Sequence, residues 1–177
     1  GTYPFVTSSN PIAGAACVGA GVGPTDIEEV WGIVKAYSTR VGSGPFPTEL
    51  DNELGEHIRK VGNEYGTVTR RPRRVGWLDL PILRHARRVN SLSEFVLTKL
   101  DILSGLPAIP GCVAYELDGR RIDSFPHDPG VLARCRPIYE TLPGWVEDVM
   151  EVRRPEDLPA GARRYVDFVA AESGVPV

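Results

Sequence analysis

Four arginines lie within five positions of one stretch of this chain, and they indicate that the stretch is a loop rather than a buried element. They follow the small, hydroxyl-bearing turn Gly66-Thr67-Val68-Thr69 and are Arg70, Arg71, Arg73 and Arg74. Guanidinium groups bind carboxylates and phosphates through paired hydrogen bonds, and threonine hydroxyls and backbone N–H groups can complete such a site. Pro72 stiffens the stretch, so the four side chains need not point the same way. The pattern predicts either an anion-binding loop or a solvated basic turn that contacts nucleic acid.

The bulk composition indicates one soluble globular domain. The chain has 177 residues, 42% hydrophobic and 24% charged, with a formal net charge of −3. That charge argues against a general nucleic-acid-binding protein. The cysteines Cys17, Cys112 and Cys135 lack metal-ligand spacing, and neither a signal peptide nor a run of 18 apolar residues is visible. We therefore expect a cytoplasmic protein with reduced cysteines and no membrane partner.

Neither end of the chain has the features of a natural terminus. The chain begins with Gly1-Thr2-Tyr3, without an initiator Met, and ends in the apolar run Val175-Pro176-Val177, which resembles the start of another strand. We therefore expect this chain to be a portion of a longer protein.

Apolar spacing and breaker residues predict a succession of helices and strands. Strands are expected at 33–39, 95–98 and 137–140, and helices at 48–61, 79–89 and 159–173. His57 is expected on the apolar face of its helix. Asp79 is expected to cap the next helix, with Leu83, Ala86 and Val89 facing inward and the arginines of that helix facing solvent.

A hairpin is the clearest local signal in the second half of the chain. Residues 112–117 and 121–125 alternate in polarity around Asp118-Gly119, a dipeptide typical of tight β-turns. Together with the helix–strand units, it predicts an α/β fold with a mostly parallel sheet flanked by helices and an appended antiparallel hairpin.

The tetrapeptide Thr98-Lys99-Leu100-Asp101 follows an apolar strand. The carboxyl ends of strands in α/β sheets are common ligand sites. A carboxylate there can accept hydrogen bonds from N1–H and the 2-amino group of guanine, and the Lys99 stem can lie on the base. A strand-end salt bridge is the alternative interpretation.

Four long strings together resemble adenylosuccinate synthetase. They are GTYPFVTSSN at 1–10, KAYSTRVGSGPFPTEL at 35–50, NEYGTVTRRPRRVGWLD at 63–79 and LTKLDILSGLP at 97–107. Members of this family condense IMP with L-aspartate using GTP and Mg²⁺, and they act as cytoplasmic homodimers. The resemblance implies that residues 1–177 are the C-terminal portion of a single domain with a P-loop-NTPase-like fold.

The resemblance also implies roles for individual residues. Aspartate would be bound by the loop residues Thr67, Val68, Thr69, Arg70, Arg71, Pro72 and Arg73. IMP would contact Thr7, Val41 and Arg71, and GTP would contact Arg73, Lys99, Leu100 and Asp101. Lys35 and Arg40 are expected to be only sheet-end charges.

One position departs from the family pattern. The family usually has Gly where this chain has Arg70. Glycine there supplies a backbone conformation or a close approach that a long side chain resists. We therefore expect Arg70 to alter the geometry of the loop and to weaken aspartate binding.

The catalytic parts that such a reaction requires are not visible in the sequence. It has no Gly-rich phosphate loop ending in Lys, and no Mg²⁺ ligands, general base or general acid can be assigned. The resemblance implies that these parts precede Gly1, so we expect this chain alone to bind nucleotide weakly and to catalyse nothing. Two other hypotheses stay open, namely a non-catalytic nucleotide-binding relative and a basic-loop nucleic-acid-binding module.

Overall fold

The computed structural model describes residues 9–177, in which helices and short strands alternate. The α-helices are α1 (Ala15–Ala20), α2 (Glu53–Val61), α3 (Leu80–Asn90), α4 (Pro129–Arg134) and α5 (Ala160–Ser173). The strands are β1 (Trp31–Lys35), β2 (Ser38–Arg40), β3 (Arg74–Gly76), β4 (Leu78–Asp79), β5 (Glu94–Thr98), β6 (Ala108–Leu117), β7 (Arg120–Ile122) and β8 (Arg136–Pro143). Short 3₁₀ helices span Pro24–Asp26, Leu100–Leu103 and Pro155–Asp157. A bilayer-crossing helix would have to be longer and more apolar than any in this described part of the chain.

Parallel and antiparallel pairing both occur among these strands. β1 and β5 are parallel, with Lys35 opposite Thr98 at their carboxyl ends. β2 and β3 are antiparallel. β6 lies in a four-stranded sheet, parallel to β4 and antiparallel to β7 and β8. The predicted α/β class is confirmed, and the parallel pair brings two distant segments to one sheet edge.

The predicted hairpin is formed by β6 and β7. Asp118 and Gly119 both have left-handed backbone angles, with φ of 52° and 76°. Two successive left-handed residues match the twist of the flanking strands, which is why this dipeptide makes tight hairpins. The second strand is shorter than predicted and ends at Ile122.

The start of α2 is later than predicted. The Leu50 N–H donates to the Val75 carbonyl oxygen at 2.8 Å, and the Trp77 N–H donates to the Thr48 carbonyl oxygen at 3.0 Å. These bonds pair the chain at 48–50 with β3 and the residue after it, so the Thr48 carbonyl and the Leu50 N–H are not available to a helix.

The position of His57 on α2 also differs from the prediction. Asn52 caps the helix by accepting the Gly55 N–H at 3.0 Å. Ile58 is fully buried, whereas His57 is exposed. Neighbouring helical residues point about 100° apart, so the inward position of Ile58 turns His57 toward solvent.

The strand predicted over 33–39 is interrupted. β1 ends where the Ala36 N–H donates to the Thr98 carbonyl oxygen at 2.8 Å. Tyr37 then turns into the core, and β2 begins after it. Ile33 was expected to be buried but is 81% exposed, because nothing in the described chain packs on that face of β1.

The predicted cap of α3 is confirmed, and it is buried. Asp79 accepts the Ile82 N–H at 3.3 Å and the Tyr115 hydroxyl at 2.7 and 2.6 Å. Burial raises the pKa of Asp79 to about 6, although these hydrogen bonds favour the charged form.

The inward face of α3 is narrower than predicted. Leu83 is buried and Ala86 is half-buried, but Val89 is 38% exposed. Arg84 was expected in solvent, yet it is half-buried and donates to the Val113 carbonyl oxygen at 2.6 Å. α3 packs against β6 and α5.

The terminal helix α5 joins the core to the end of β1. Tyr165, Phe168 and Val169 are buried as predicted, and Gly174 ends the helix with φ of 69°. The Tyr165 hydroxyl donates to the Ala36 carbonyl oxygen at 2.6 Å. This bond satisfies a backbone group where the chain leaves the sheet.

Replacing Asp79 with Ala should lower the free energy of unfolding by about 1–2 kcal/mol, because the helix loses its cap and the Tyr115 hydroxyl loses its acceptor.

The variant Asp79→Asn tests the charge alone, because it keeps a capping oxygen. The raised pKa means that the native state retains a proton between pH 3.8 and about 6, so wild-type stability falls as pH rises through that window. Asp79→Asn should remove this fall in urea unfolding curves measured below and above the window.

The matched control is Asp128→Ala. Asp128 caps the short helix α4 by accepting the Val131 N–H at 2.8 Å, but this cap is exposed. Its loss should cost less than the loss of Asp79. Equal losses, or an unchanged pH dependence in Asp79→Asn, would contradict a special role for the buried cap.

Candidate functional site

The arginine loop, defined here as residues 66–73, is a narrow hairpin closed by backbone pairing. The Gly66 N–H donates to the Arg71 carbonyl oxygen at 2.8 Å. Tyr65 and Pro72 form a single antiparallel bridge just outside that bond. The loop therefore has a fixed base, from which its tip projects.

The tip is exposed and contains a left-handed arginine. Thr67, Val68 and Thr69 are exposed, Val68 to 92%. Arg70 has φ of 54°, and its N–H donates to the Gly66 carbonyl oxygen at 2.9 Å. A left-handed conformation costs an L-residue roughly 1–2 kcal/mol, whereas glycine adopts it readily. The geometry gives a physical reason for glycine at this position.

The four arginines diverge. Arg74 makes two hydrogen bonds to Glu49, at 2.7 and 2.5 Å, and a third to the Gly44 carbonyl oxygen at 2.8 Å. Arg74 thus holds the neighbouring loop. Arg70 and Arg71 are exposed, and within the described chain no hydrogen bond or ion pair holds the Arg71 guanidinium.

Arg73 turns toward a buried carboxylate, Glu64, which is the centre of the site. Its Nη1 donates to Glu64 Oε2 at 2.7 Å. Lys35 Nζ donates to both Glu64 oxygens at 2.8 Å, and the Tyr37 hydroxyl donates to Oε1 at 2.7 Å. The Glu64 side chain is fully buried, while the Lys35 and Arg73 side chains are partly exposed.

Lys99 joins the same cluster from the other parallel strand. It follows β5 with φ of 59°, and its Nζ lies 3.4 Å from Glu64 Oε1 and donates to the Gly62 carbonyl oxygen. A Cβ at position 62 would collide with the Tyr37 hydroxyl, so the close contact between Tyr37 and Gly62 requires glycine at that position. The ends of β1 and β5 and the arginine loop thus meet at Glu64.

Hydrogen bonding keeps Glu64 charged. Burial alone would raise its pKa, but the donors Lys35, Tyr37 and Arg73 outweigh burial and hold the pKa at about 2. Burial and the Glu64 carboxylate raise the pKa of Tyr37, which therefore stays a protonated donor. The cluster contains one buried anion and three cations, so its outer edge is positive.

A pocket of about 500 Å³ adjoins the cluster. Its lining includes Lys99, Leu100 and Asp101 after β5, together with Met150 and Arg153. Asp101 lies in the 3₁₀ helix that follows β5. The pocket thus offers a carboxylate, an aliphatic lysine stem and a cationic rim.

The structure brings Arg73 of the arginine loop together with Lys99, which is followed directly by Leu100 and Asp101, at the ends of β1 and β5, while the loop tip 67–71 is exposed. Thr7 lies outside the described residues. Val41 lies just after β2 and is 76% exposed, without contact to the Glu64 cluster. Sequence reasoning missed Glu64 and treated Lys35 as only a sheet-end charge. The available signal was a single acid six positions before the first of the four arginines.

The described residues do not form a metal centre. Among residues 9–177, His, Cys, Asp and Glu side chains nowhere gather into a group of three or more that could hold a metal ion. The donor set of these residues therefore does not fit Mg²⁺.

Comparisons with known proteins narrow the class. A family model described as adenylosuccinate synthetase matches residues 1–177. The chain is 60% identical over 177 residues to the adenylosuccinate synthetase of Desulforudis audaxviator and 57% identical to that of Listeria welshimeri. A solved structure, the fully ligated adenylosuccinate synthetase from Plasmodium falciparum, matches with a TM-score of 0.96 at 40% identity, covering 100% of this chain and 43% of that chain.

The fold and the strand-end cluster define an α/β protein with a site suited to anionic ligands. The match to the family model is more specific, and the chain belongs to the adenylosuccinate synthetase family. The match to each of the two bacterial relatives covers 100% of this chain but only 41% of the relative's own length. This chain therefore spans about two-fifths of the proteins it resembles.

Replacing Glu64 with Gln should lower the free energy of unfolding at neutral pH by about 1.5–3 kcal/mol, the usual value of hydrogen bonds to a charged group. Because the native pKa is lowered from 4.5 to about 2, the stabilisation by Glu64 is present above pH 4.5 and is lost as pH falls toward 2. Glu64→Gln should lose less stability than wild type over that window in denaturant unfolding. The exposed pair Glu151–Arg153 supplies a control, since Glu151→Gln should leave the curve unchanged. Parallel pH profiles for wild type and Glu64→Gln would contradict the assignment.

Proposed function

We propose that this chain is part of an enzyme that ligates IMP and L-aspartate to adenylosuccinate while GTP is converted to GDP and phosphate. The observation that carries the proposal is the meeting of the arginine loop with Lys99 at one sheet edge, through Glu64. A carboxylate-binding loop and a base-reading element must lie close together if one enzyme is to join these substrates.

Aspartate is assigned to the arginine loop. The exposed tip offers backbone N–H groups and the hydroxyls of Thr67 and Thr69, with Val68, Arg70 and Pro72 shaping the turn. Arg71 and Arg73 supply guanidinium forks for the carboxylates. A substrate with two carboxylates matches this set of donors, and closure of the loop would align its amine for attack.

Guanine is assigned to Lys99, Leu100 and Asp101. The Asp101 carboxylate would accept N1–H and the 2-amino group, while adenine presents a bare acceptor at N1 and no 2-amino group. Lys99 would lay its stem on the base, and the positive edge of the Glu64 cluster supports an anionic nucleotide at this site. Arg73, the last residue of the loop, pairs with the same carboxylate as Lys99 and would serve both substrates.

IMP is assigned to Thr7 for its phosphate, to the Val41 backbone for its ribose, and to Arg71, which would bridge the ribose and the aspartate carboxylate. The assignment of Thr7 and Val41 rests on the sequence strings around them. The exposure of Val41 and of Arg71 is compatible with ligand contact.

In the proposed reaction the γ-phosphoryl group of GTP is transferred to O6 of IMP. The aspartate amine then attacks C6, the C6–O6 bond breaks, and phosphate leaves. The residues of this chain bind and orient the substrates. Mg²⁺, which neutralises phosphate charge when bound, is assigned to ligands outside this segment, together with the acid and base. A cytoplasmic homodimer is part of the same proposal.

The direct test uses a full-length protein that contains this chain. Adenylosuccinate, GDP and phosphate should form in equal amounts, and only when IMP, aspartate and GTP are all present. Failure to form adenylosuccinate would overturn the proposal. Retained GTP binding without turnover would identify a non-catalytic relative, and salt-sensitive binding of RNA or DNA would identify a basic-loop module.

Arg70→Gly in the full-length enzyme should lower the apparent KM for aspartate several-fold, because glycine adopts the left-handed conformation of the loop without the roughly 1–2 kcal/mol cost. Steady-state kinetics with aspartate varied and GTP and IMP saturating measure the effect.

The control for Arg70→Gly is Ser91→Gly. Ser91 is also left-handed, with φ of 51°, but it ends α3 and lies far along the chain from the loop. That variant should gain stability without changing the KM for aspartate. An unchanged KM in Arg70→Gly would refute the role of this residue.

Asp101→Asn should lower kcat/KM for GTP by roughly 100-fold or more, since the buried edge of guanine loses its acceptor. Xanthosine triphosphate should restore activity, because an asparagine amide can donate to the oxygen at C2 of xanthine while its carbonyl accepts N1–H. The measurement is kcat/KM for each nucleotide. Asp123→Asn, at an exposed carboxylate paired with Arg121, should retain the preference for GTP. If Asp101→Asn also kept the preference for GTP over xanthosine triphosphate, Asp101 would not be the residue that binds the base.

A further inference from the structure

Glu64 has an unusual set of partners for a buried carboxylate. Its cationic neighbours Lys35, Arg73 and Lys99 come from three separate segments, namely the end of β1, the arginine loop and the residue after β5. A fully buried acid is normally paired and hydrogen-bonded. Three partners indicate that the acid also fixes the positions of the cations.

We propose that Glu64 is a positioning residue that holds the aspartate-binding loop and the guanine-binding lysine in one geometry. The inference deepens the proposed function and rests on it. Glu64 itself touches neither substrate, because its side chain has no exposed surface. It acts through Arg73 on the aspartate side and through Lys99 on the nucleotide side.

The acceptor capacity of Glu64 is filled. A carboxylate has about four lone-pair sites on its two oxygens. Oε1 accepts Tyr37 at 2.7 Å and Lys35 at 2.8 Å and lies 3.4 Å from Lys99. Oε2 accepts Lys35 at 2.8 Å and Arg73 at 2.7 Å. Because the donors share two oxygen atoms, movement of one cation changes the hydrogen-bond geometry that Glu64 offers to the other cations.

The bonds to Glu64 leave the outer parts of both cations available. Arg73 uses one terminal nitrogen for Glu64, and no other donor of its guanidinium makes a hydrogen bond within the described chain. Lys99 is fixed at its ammonium group by Glu64 and Gly62, so its aliphatic stem is held along the pocket wall. Glu64 thus orients each side chain through one group, and the remaining guanidinium donors of Arg73 and the aliphatic stem of Lys99 stay available to a ligand.

The backbone strengthens the link between Glu64 and the loop. The Arg73 N–H donates to the Glu64 carbonyl oxygen at 2.9 Å, and Arg59 Nε donates to the Arg73 carbonyl oxygen at 2.8 Å. The side-chain bond therefore begins from a fixed main chain. Removing the Glu64 charge would release the side chains of Arg73 and Lys99 without opening this backbone.

The test measures substrate KM values in the full-length enzyme. Glu64→Gln should raise the KM for aspartate and the KM for GTP together, each roughly tenfold or more, because each substrate loses an oriented charged donor. The KM for IMP should change less than either. A residue that merely stabilised the fold would lower Tm and the active fraction while leaving the KM values of the folded enzyme unchanged.

Glu49→Gln is the matched control. Glu49 pairs with Arg74 through two hydrogen bonds in the adjacent sheet, so it tests the loss of a comparable glutamate–arginine pair outside the proposed site. Its KM values for aspartate and GTP should equal those of wild type, and the KM for IMP is left out of the comparison because Arg74 also holds the loop that follows Val41. Tyr37→Phe is a milder second variant that removes one donor and keeps the Glu64 charge, and it should raise both KM values less than Glu64→Gln does.

A double-mutant cycle separates the two routes. In a Lys99→Met background, Glu64→Gln should raise the KM for GTP by a smaller factor than it does in the wild-type background, since only Arg73 can still respond, and it should raise the KM for aspartate by the full factor. Additive effects on GTP, or KM values within twofold of wild type in folded Glu64→Gln and Tyr37→Phe, would overturn the inference while leaving the proposed function intact. A wild-type enzyme that forms no adenylosuccinate would overturn the proposed function and this inference with it.

Discussion

The carboxylate of Glu64 is the interaction on which the arrangement of the site depends. A charge without solvent contact must be compensated by hydrogen bonds and opposite charges, or the segment that carries it will not stay buried. Lys35, Tyr37 and Arg73 supply that compensation and keep the pKa at about 2. Because these donors come from separate segments, the electrostatic demand of one side chain determines the relative positions of β1 and the arginine loop.

The parallel pair β1–β5 makes this convergence possible. Parallel strands end at the same edge of a sheet, so Lys35 and the residue after Thr98 are close although 64 positions separate them in sequence. The antiparallel pairing of β2 with β3 then brings the arginine loop back to that edge. The site thus combines strand ends, which carry the lysines, with an exposed loop tip.

Local chemistry explains which elements could be predicted. The turn at Asp118-Gly119, the cap at Asp79 and the end of α5 at Gly174 each depend on residues within a few positions, and all three are present. Predictions failed where long-range pairing overrode local pattern. Thr48 has backbone pairing with β3 instead of joining α2, and Ile33 is exposed, although their apolar surroundings favoured helix and buried strand.

The sequence by itself determined the chemistry of the site: an arginine-rich turn and a strand-end carboxylate at Asp101 can be read from residue type and spacing, and the family resemblance marked Arg70 as a position where glycine is usual. Only the tertiary structure decided how these parts cooperate. Glu64 and Lys35 lie 29 positions apart, and no periodicity links them. Their pairing results from burial, which makes an ion pair necessary, and from sheet topology, which decides which cations are within reach.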